Sequence, residues 1–261
     1  GIGMDTTLAT TVKRDSCPVR RSFVEMSDSK RGITPLASLL RTRDSVGGKG
    51  GGLRISLLMT LIWVNARPPH ASSRVAAYWA ELLGREDPRG EGARAVRDAL
   101  HELDDRGWVN LRSTGSRTEI FLRNESEPVN DDGTPVPYTL PYGQTPYLQV
   151  PREFWTTGLV GELSGAGVAM YLCALALTRP DEPKFFISTS YFDEHYGISR
   201  SSRKRGLAEL ASNGVLTTEV EAEIDLNTFR KVRRNVYRIT KAYRQPAAWK
   251  PEEESSASST E

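Results

Sequence analysis

Four basic residues stand in the first six positions of one predicted helix: Arg200, Arg203, Lys204 and Arg205, with Ser201 and Ser202 between them. Downstream, residues 228–243 contain no acid at all and carry Arg230, Lys231, Arg233 and Arg234. A guanidinium presents a fork of donors that fits phosphate oxygens or the edge of guanine, and lysine supplies a point charge. Serine is short enough to let a helix approach a phosphate or a base. These residue types point to a polyanion as ligand. Residues able to do covalent or metal chemistry have no comparable arrangement. His70, His101 and His195 lie far apart, and the two cysteines, Cys17 and Cys173, form no paired ligand motif. Gly161-Glu162-Leu163-Ser164-Gly165 lacks the serine spacing of a nucleophile elbow, so Ser164 reads as a helix cap. The glycine run 47–52 lacks the spacing of a phosphate-binding loop. No catalytic residue, metal or cofactor is expected, and the chain is not read as an enzyme.

The elements that must hold the basic residues follow from caps and periodicity. Ser188 or Thr189 can cap a short helix through Tyr196, ended by Gly197, and a second helix spans 200–213 until Gly214 stops it. Strand-like runs at 215–221 and 231–240 make a hairpin. With Leu207 and Leu210 inward, helical geometry puts Ser201, Ser202, Arg205 and Ala208 on the opposite face, with Lys204 flanking it. Upstream, Ser164 caps an apolar helix at 166–178, and Phe185, Phe186 and Ile187 form a short strand. The first half has the same texture. One helix runs from residue 53 toward Pro68-Pro69, Ser72 or Ser73 caps a second, and a third spans 93–106. Strands at 108–112 and 118–123 then flank the turn Thr114-Gly115-Ser116-Arg117. Arg94, Arg97, Arg112 and Arg117 are its candidate contacts, but Asp98, Glu102, Asp104 and Asp105 share the third helix.

The halves also match in register. Val96, Leu100, Leu103, Gly107, Trp108 and Val109 recur at the same offsets as Arg203, Leu207, Leu210, Gly214, Val215 and Leu216. This spacing resembles the helix-to-wing signature of bacterial winged-helix regulators of the multiple-antibiotic-resistance-regulator-like group, across roughly 53–123 and 164–240. Arg203 departs from it, standing where an apolar core residue is usual; either its stem packs while the guanidinium reaches outward, or the helix is rotated. The resemblance implies an α+β, mainly α, fold: two winged-helix domains, each a three-helix core with a β-hairpin wing. It also implies double-stranded DNA as partner. The helix beginning at Arg200 would enter the major groove, and the basic wing would lie on the backbone or in the minor groove. A transcriptional regulator is the leading expectation. Tandem winged-helix architecture is similar to that of plasmid and phage replication initiators as well, which bind repeated origin sites. The first domain is open between reading DNA and binding a protein partner, as an adaptor would, and a homodimer is open too.

Domain organisation follows from composition. Residues 1–49 read as a disordered basic arm, 50–123 and 147–245 as the two domains, and 246–261 as a disordered acidic tail. Residues 124–146 hold four acids, five prolines and no lysine or arginine, which suggests an interdomain linker or extended strap without a core. Net charge is only +2, so the distribution of charge matters more than its sum. No apolar run is long enough to span a bilayer and two cysteines cannot form a disulfide framework, so a cytoplasmic protein is expected.

Overall fold

A computed structural model describes residues 12–26, 32–41, 51–143 and 145–247. Within them the chain is a mixed α/β protein with small antiparallel sheets. The first half begins with α3 (Gly51–Val64), followed by β2 (Ala71–Ser72), α4 (Ala76–Leu82), α5 (Glu91–Asp105) and the hairpin β3 (Val109–Thr114) and β4 (Arg117–Leu122). The second half repeats this order. It runs through α8 (Gly165–Leu177), β6 (Lys184–Phe186), α9 (Thr189–Tyr196), α10 (Arg200–Ser212), β7 (Leu216–Ile224) and β8 (Lys231–Ile239). Strand order is β2-β4-β3 in one sheet and β6-β8-β7 in the other. Both units therefore insert the last strand of the hairpin between its first strand and a short strand from earlier in the chain.

The shared sequence offsets become shared roles. Leu103 and Leu210 are fully buried, and Gly107 and Gly214 follow their helices at φ +88° and +71°. That left-handed turn is open to glycine without a Cβ clash, and it lets Trp108 N–H and Val215 N–H bond back to the carbonyls of Leu103 and Leu210. Arg203, the departure from the pattern, is buried along its stem and sends its guanidinium to Asp193 Oδ1 at 3.2 Å, over the Phe192 ring. The stem packs and the charge emerges, so the register of α10 is kept.

The first and third helices of each unit meet differently. Gly206 of α10 lies against α8, where an added Cβ would collide with the Ala166 carbonyl oxygen and Met170. Ala99 holds the matching position in α5. Several local expectations need correction. Ser72 is in β2, and α4 starts at Ala76 with Val75 at its cap and no side-chain cap bond. Ser188 likewise makes no cap bond to α9, whereas Ser199 does cap α10. Helices α3 and α8 have no solvent face along most of their length, because each is covered on several sides.

The segment expected to be a disordered arm supplies the cover. Residues 12–26 and 32–41 are folded; 1–11, 27–31 and 42–50 lie outside the described residues, as do 248–261 of the expected tail. Strand β1 (Ser16–Arg20) pairs with β5 (Tyr147–Pro151), and α1 (Arg21–Val24) and α2 (Pro35–Leu40) follow. Cys17, Val19, Phe23, Val24, Leu36 and Leu39 are all fully buried, which the scattered polar residues around them conceal. Thr34 caps α2 and also donates to the Tyr196 carbonyl in the second unit. Arg106 of the first unit donates to the carbonyls of Ser38 and Arg41, and buried Arg54 reaches Leu39 and Arg41 as well as Glu102 at 2.9 Å. The N-terminal segment is thus a staple between the units.

Residues 124–146 also contribute to the interior, against expectation. Glu125 is fully buried, with its carboxylate against the Arg20 guanidinium at 3.0 Å and accepting from Arg20 N–H. Burial pushes the Glu125 carboxyl above its ordinary range, and the Arg20 charge opposes that shift. Tyr138 packs edge-on to His70, whose Nδ1 lies 2.8 Å from the Asn65 carbonyl oxygen, so His70 is a structural residue. Between the units, α6 (Glu153–Thr156) and α7 (Leu159–Glu162) bring Trp155 flat against Trp63 of α3, with ring centroids 4.5 Å apart. Trp155 Nε1–H donates to Thr60 Oγ1 in the same helix. The buried residues of both units and the N-terminal segment form one continuous hydrophobic cluster.

Candidate nucleic-acid interface

The basic helix α10 divides its charges by helical position. Arg200, Ser201, Lys204, Arg205 and Ala208 are exposed, and Arg203 is committed to Asp193. Ser202 departs from expectation. It is half-buried on the flank of the helix, its N–H bonded to Ser199 Oγ, because Gly206 draws that side close to α8. Ser202 and Arg205 line a cleft of about 500 Å³ with Ser164, Gly52 and Arg85, where the two units meet. Glu209, one turn further on, is occupied by Ser164, whose N–H and hydroxyl it accepts at 2.8 and 2.5 Å. The acid is thereby taken off the exposed surface of the helix.

In the wing, pleating sorts the bases onto two faces. Cross-strand pairs Val220–Asn235, Ala222–Arg233 and Ile224–Lys231 share the face that begins with the buried pair Leu216–Ile239. No acid lies on that face. The other face carries Glu219, Glu221 and Glu223, opposite Val236, Arg234 and Val232. Arg234 pairs with Glu223 at 2.6 Å and lies over the Phe186 ring, while Lys184 pairs with Glu221 at 3.2 Å. The run 228–243 is acid-free in sequence, but the neighbouring strand neutralises Arg234 within it. Among the described residues Arg233 and Lys231 make no ion pair and are exposed, as is Arg230 in the turn; Arg234 does not join them.

In the first unit the structure brings Arg97 and Arg117 into one groove of about 750 Å³, between the start of α4, the outer side of α5 and the hairpin. Arg74, Tyr78 and His101 join them there, and the lining includes no acid. Sequence reasoning missed these three. Arg74, just ahead of α4, stacks on Tyr78 at 4.8 Å, and His101 follows Arg97 by one turn of α5, so a four-residue spacing was the available signal in both. Arg94 is exposed in the first turn of α5. Arg112 is not part of the groove, since it lies opposite Glu119 and over the Phe121 ring. Two of the acids counted against this helix are turned away from the groove. Glu102 is held by Arg54 and Arg106, and Asp104 accepts the Leu111 N–H.

Among the described residues no three His, Cys, Asp or Glu side chains are grouped to hold a metal ion, and no helix is long and apolar enough to cross a membrane. Cys17 and Cys173 are free and buried, and burial pushes the Cys17 thiol up to about 12. No protein-family model matches the chain, and no curated protein matches it either.

Proposed function

We propose that this chain is a sequence-specific duplex DNA-binding protein made of two winged-helix units and acting as a transcriptional regulator. One observation carries the reading. The order helix, short strand, helix, helix, hairpin occurs twice with the same strand order, and the third helix of the second copy exposes Arg200, Ser201, Lys204 and Arg205 at its N-terminal turns. In helix-turn-helix docking the N-terminal turns of the second helix of the pair meet base edges. Arg205 would read guanine, and Arg230, Lys231 and Arg233 would hold phosphates beside the groove. The groove of Arg74, Arg97 and Arg117 supports a second DNA contact in the first unit over a protein-binding role.

A replication initiator is the second reading, and the staple favours it. Units locked by β1, α2 and the Trp63–Trp155 stack present two readers at a fixed spacing, which suits tandem sites. Selection of bound fragments from random duplexes at near-physiological salt tests both. A single short operator supports the regulator, and repeats with constant spacing support the initiator. Salt-labile capture without any motif would remove sequence-specific recognition from the proposal.

A further inference from the structure

The two hairpins differ at their tips. Strands β3 and β4 have six residues each and turn through Gly115-Ser116, with a polar end. Strands β7 and β8 have nine each, and only Leu216, Val236 and Ile239 of them are buried. At about 3.3 Å per residue, the five pairs beyond Glu219–Val236 carry the ribbon roughly 17 Å past the core. A loop closes it, with Asp225 N–H bonded to the Arg230 carbonyl at 2.9 Å and Phe229 N–H to the Asp225 carbonyl at 2.6 Å. The Asp225 carboxylate is turned back onto the Asn227 N–H. This loop holds Leu226 and Phe229 at the extremity, each 82% exposed, with Ile224 behind them. Phe229 sits at φ +54°, a left-handed conformation that bulky residues seldom adopt.

Large apolar side chains rimmed by charge mark a contact surface, and here the charge identifies the partner. Lys231 and Arg233 stand beside the tip on the acid-free side and Arg230 lies in the loop itself, with the three β7 glutamates on the opposite face. The matching ligand has anions outside and an apolar stack inside, which describes a nucleic-acid duplex. We propose that the tip is a wedge that opens a base step from the minor groove. Phe229 and Leu226 insert between neighbouring base pairs while Arg230, Lys231 and Arg233 hold the flanking phosphates. Inserted Phe and Leu side chains kink duplexes toward the major groove by about 20–90°. Flexible pyrimidine–purine steps, TA above all, yield most easily. The inference rests on the DNA-binding reading and adds deformation to it.

The test uses the full chain and a short duplex rich in TA steps, with a dye pair on its ends and 2-aminopurine beside one step. Binding by the unaltered chain shortens the end-to-end distance and raises 2-aminopurine fluorescence. The Leu226→Ser, Phe229→Ser double variant binds more weakly than the parent and, compared at saturating protein, leaves the duplex straight and stacked. An unchanged melting profile shows that this solvent-exposed change has spared the fold. Equal distortion by parent and variant, or a straight duplex with both, overturns the wedge and leaves DNA binding intact. Failure of the parent to bind any duplex overturns the functional reading as well, and failure of the variant alone makes the tip an essential contact and overturns the wedge. A parent that self-associates without DNA, with a variant that does not, makes the tip a contact between copies and also overturns the wedge.

Discussion

The two helix–hairpin units share strand order and helix termini, yet they handle charge in opposite ways. In the first, acids outnumber bases on the third helix, but Glu102 and Asp104 are spent on internal partners and the groove of Arg97 and Arg117 is left without acid. In the second, the sequence is rich in free bases, but Asp193 takes Arg203 and Glu223 takes Arg234. Counting charges along each segment therefore exaggerates the contrast. What separates the units is reach, since the second has the longer ribbon, the exposed Arg205 and the apolar tip.

The comparison would break most visibly if the units proved separable. Arg20→Ala leaves the Glu125 carboxyl buried without its partner, and should cost about 3–5 kcal/mol. Because β1, the strap and both units share one core, chemical denaturation should show a single weakened transition. Two transitions, with one unmoved, would show independent units. Next comes the helix crossing. Gly206→Ala should destabilise by about 1–3 kcal/mol through overpacking against α8, whereas Ala99→Gly at the matching site should cost only about 0.5–1 kcal/mol.

Binding sharpens the contrast further. Arg205→Ala should lose about 1–3 kcal/mol at the preferred site and relax its sequence preference, with Arg97→Ala losing less. Equal losses would make the units equivalent readers. Replacing Lys231 and Arg233 by alanine should weaken all duplexes and lower the salt slope by about 2. Arg234→Ala should barely move that slope, and an equal drop would mean that the Glu223 pairing does not hold in solution. The smallest effect is chemical. Cys17 and Cys173 should resist alkylation in the native chain, and Arg20→Ala should expose Cys17 to the reagent before Cys173, because β1 loosens first.

Local signals explain what the sequence disclosed. Ser199, Gly197, Gly107 and Gly214 each fix a helix end through short-range geometry, and the twin Leu-x-x-Leu-x-x-x-Gly spacing located both hairpins to within a few residues. Non-local pairing explains what it hid. The burial of Cys17 and Val19 depends on β5, more than a hundred residues away, and nothing within residues 12–26 announces that partner. The Glu125–Arg20 pair is equally invisible in an acidic, proline-rich run. At the candidate site, residue types were legible, but the faces were not until strand register set Glu221 opposite Arg234 and Ala222 opposite Arg233.

The pairing of β1 with β5 also dictates when the chain can finish folding as it is made. Ser16 bonds Gln149 across 133 positions, so the first strand emerges from the ribosome long before its neighbour exists. At about 5–20 residues per second, that interval lasts roughly 7–27 s. Until it ends, Cys17, Val19, Phe23 and, once made, the Trp63 indole lack part of their final cover. The nascent chain is therefore most exposed to aggregation and to chaperone capture after the first unit has appeared and before the second begins.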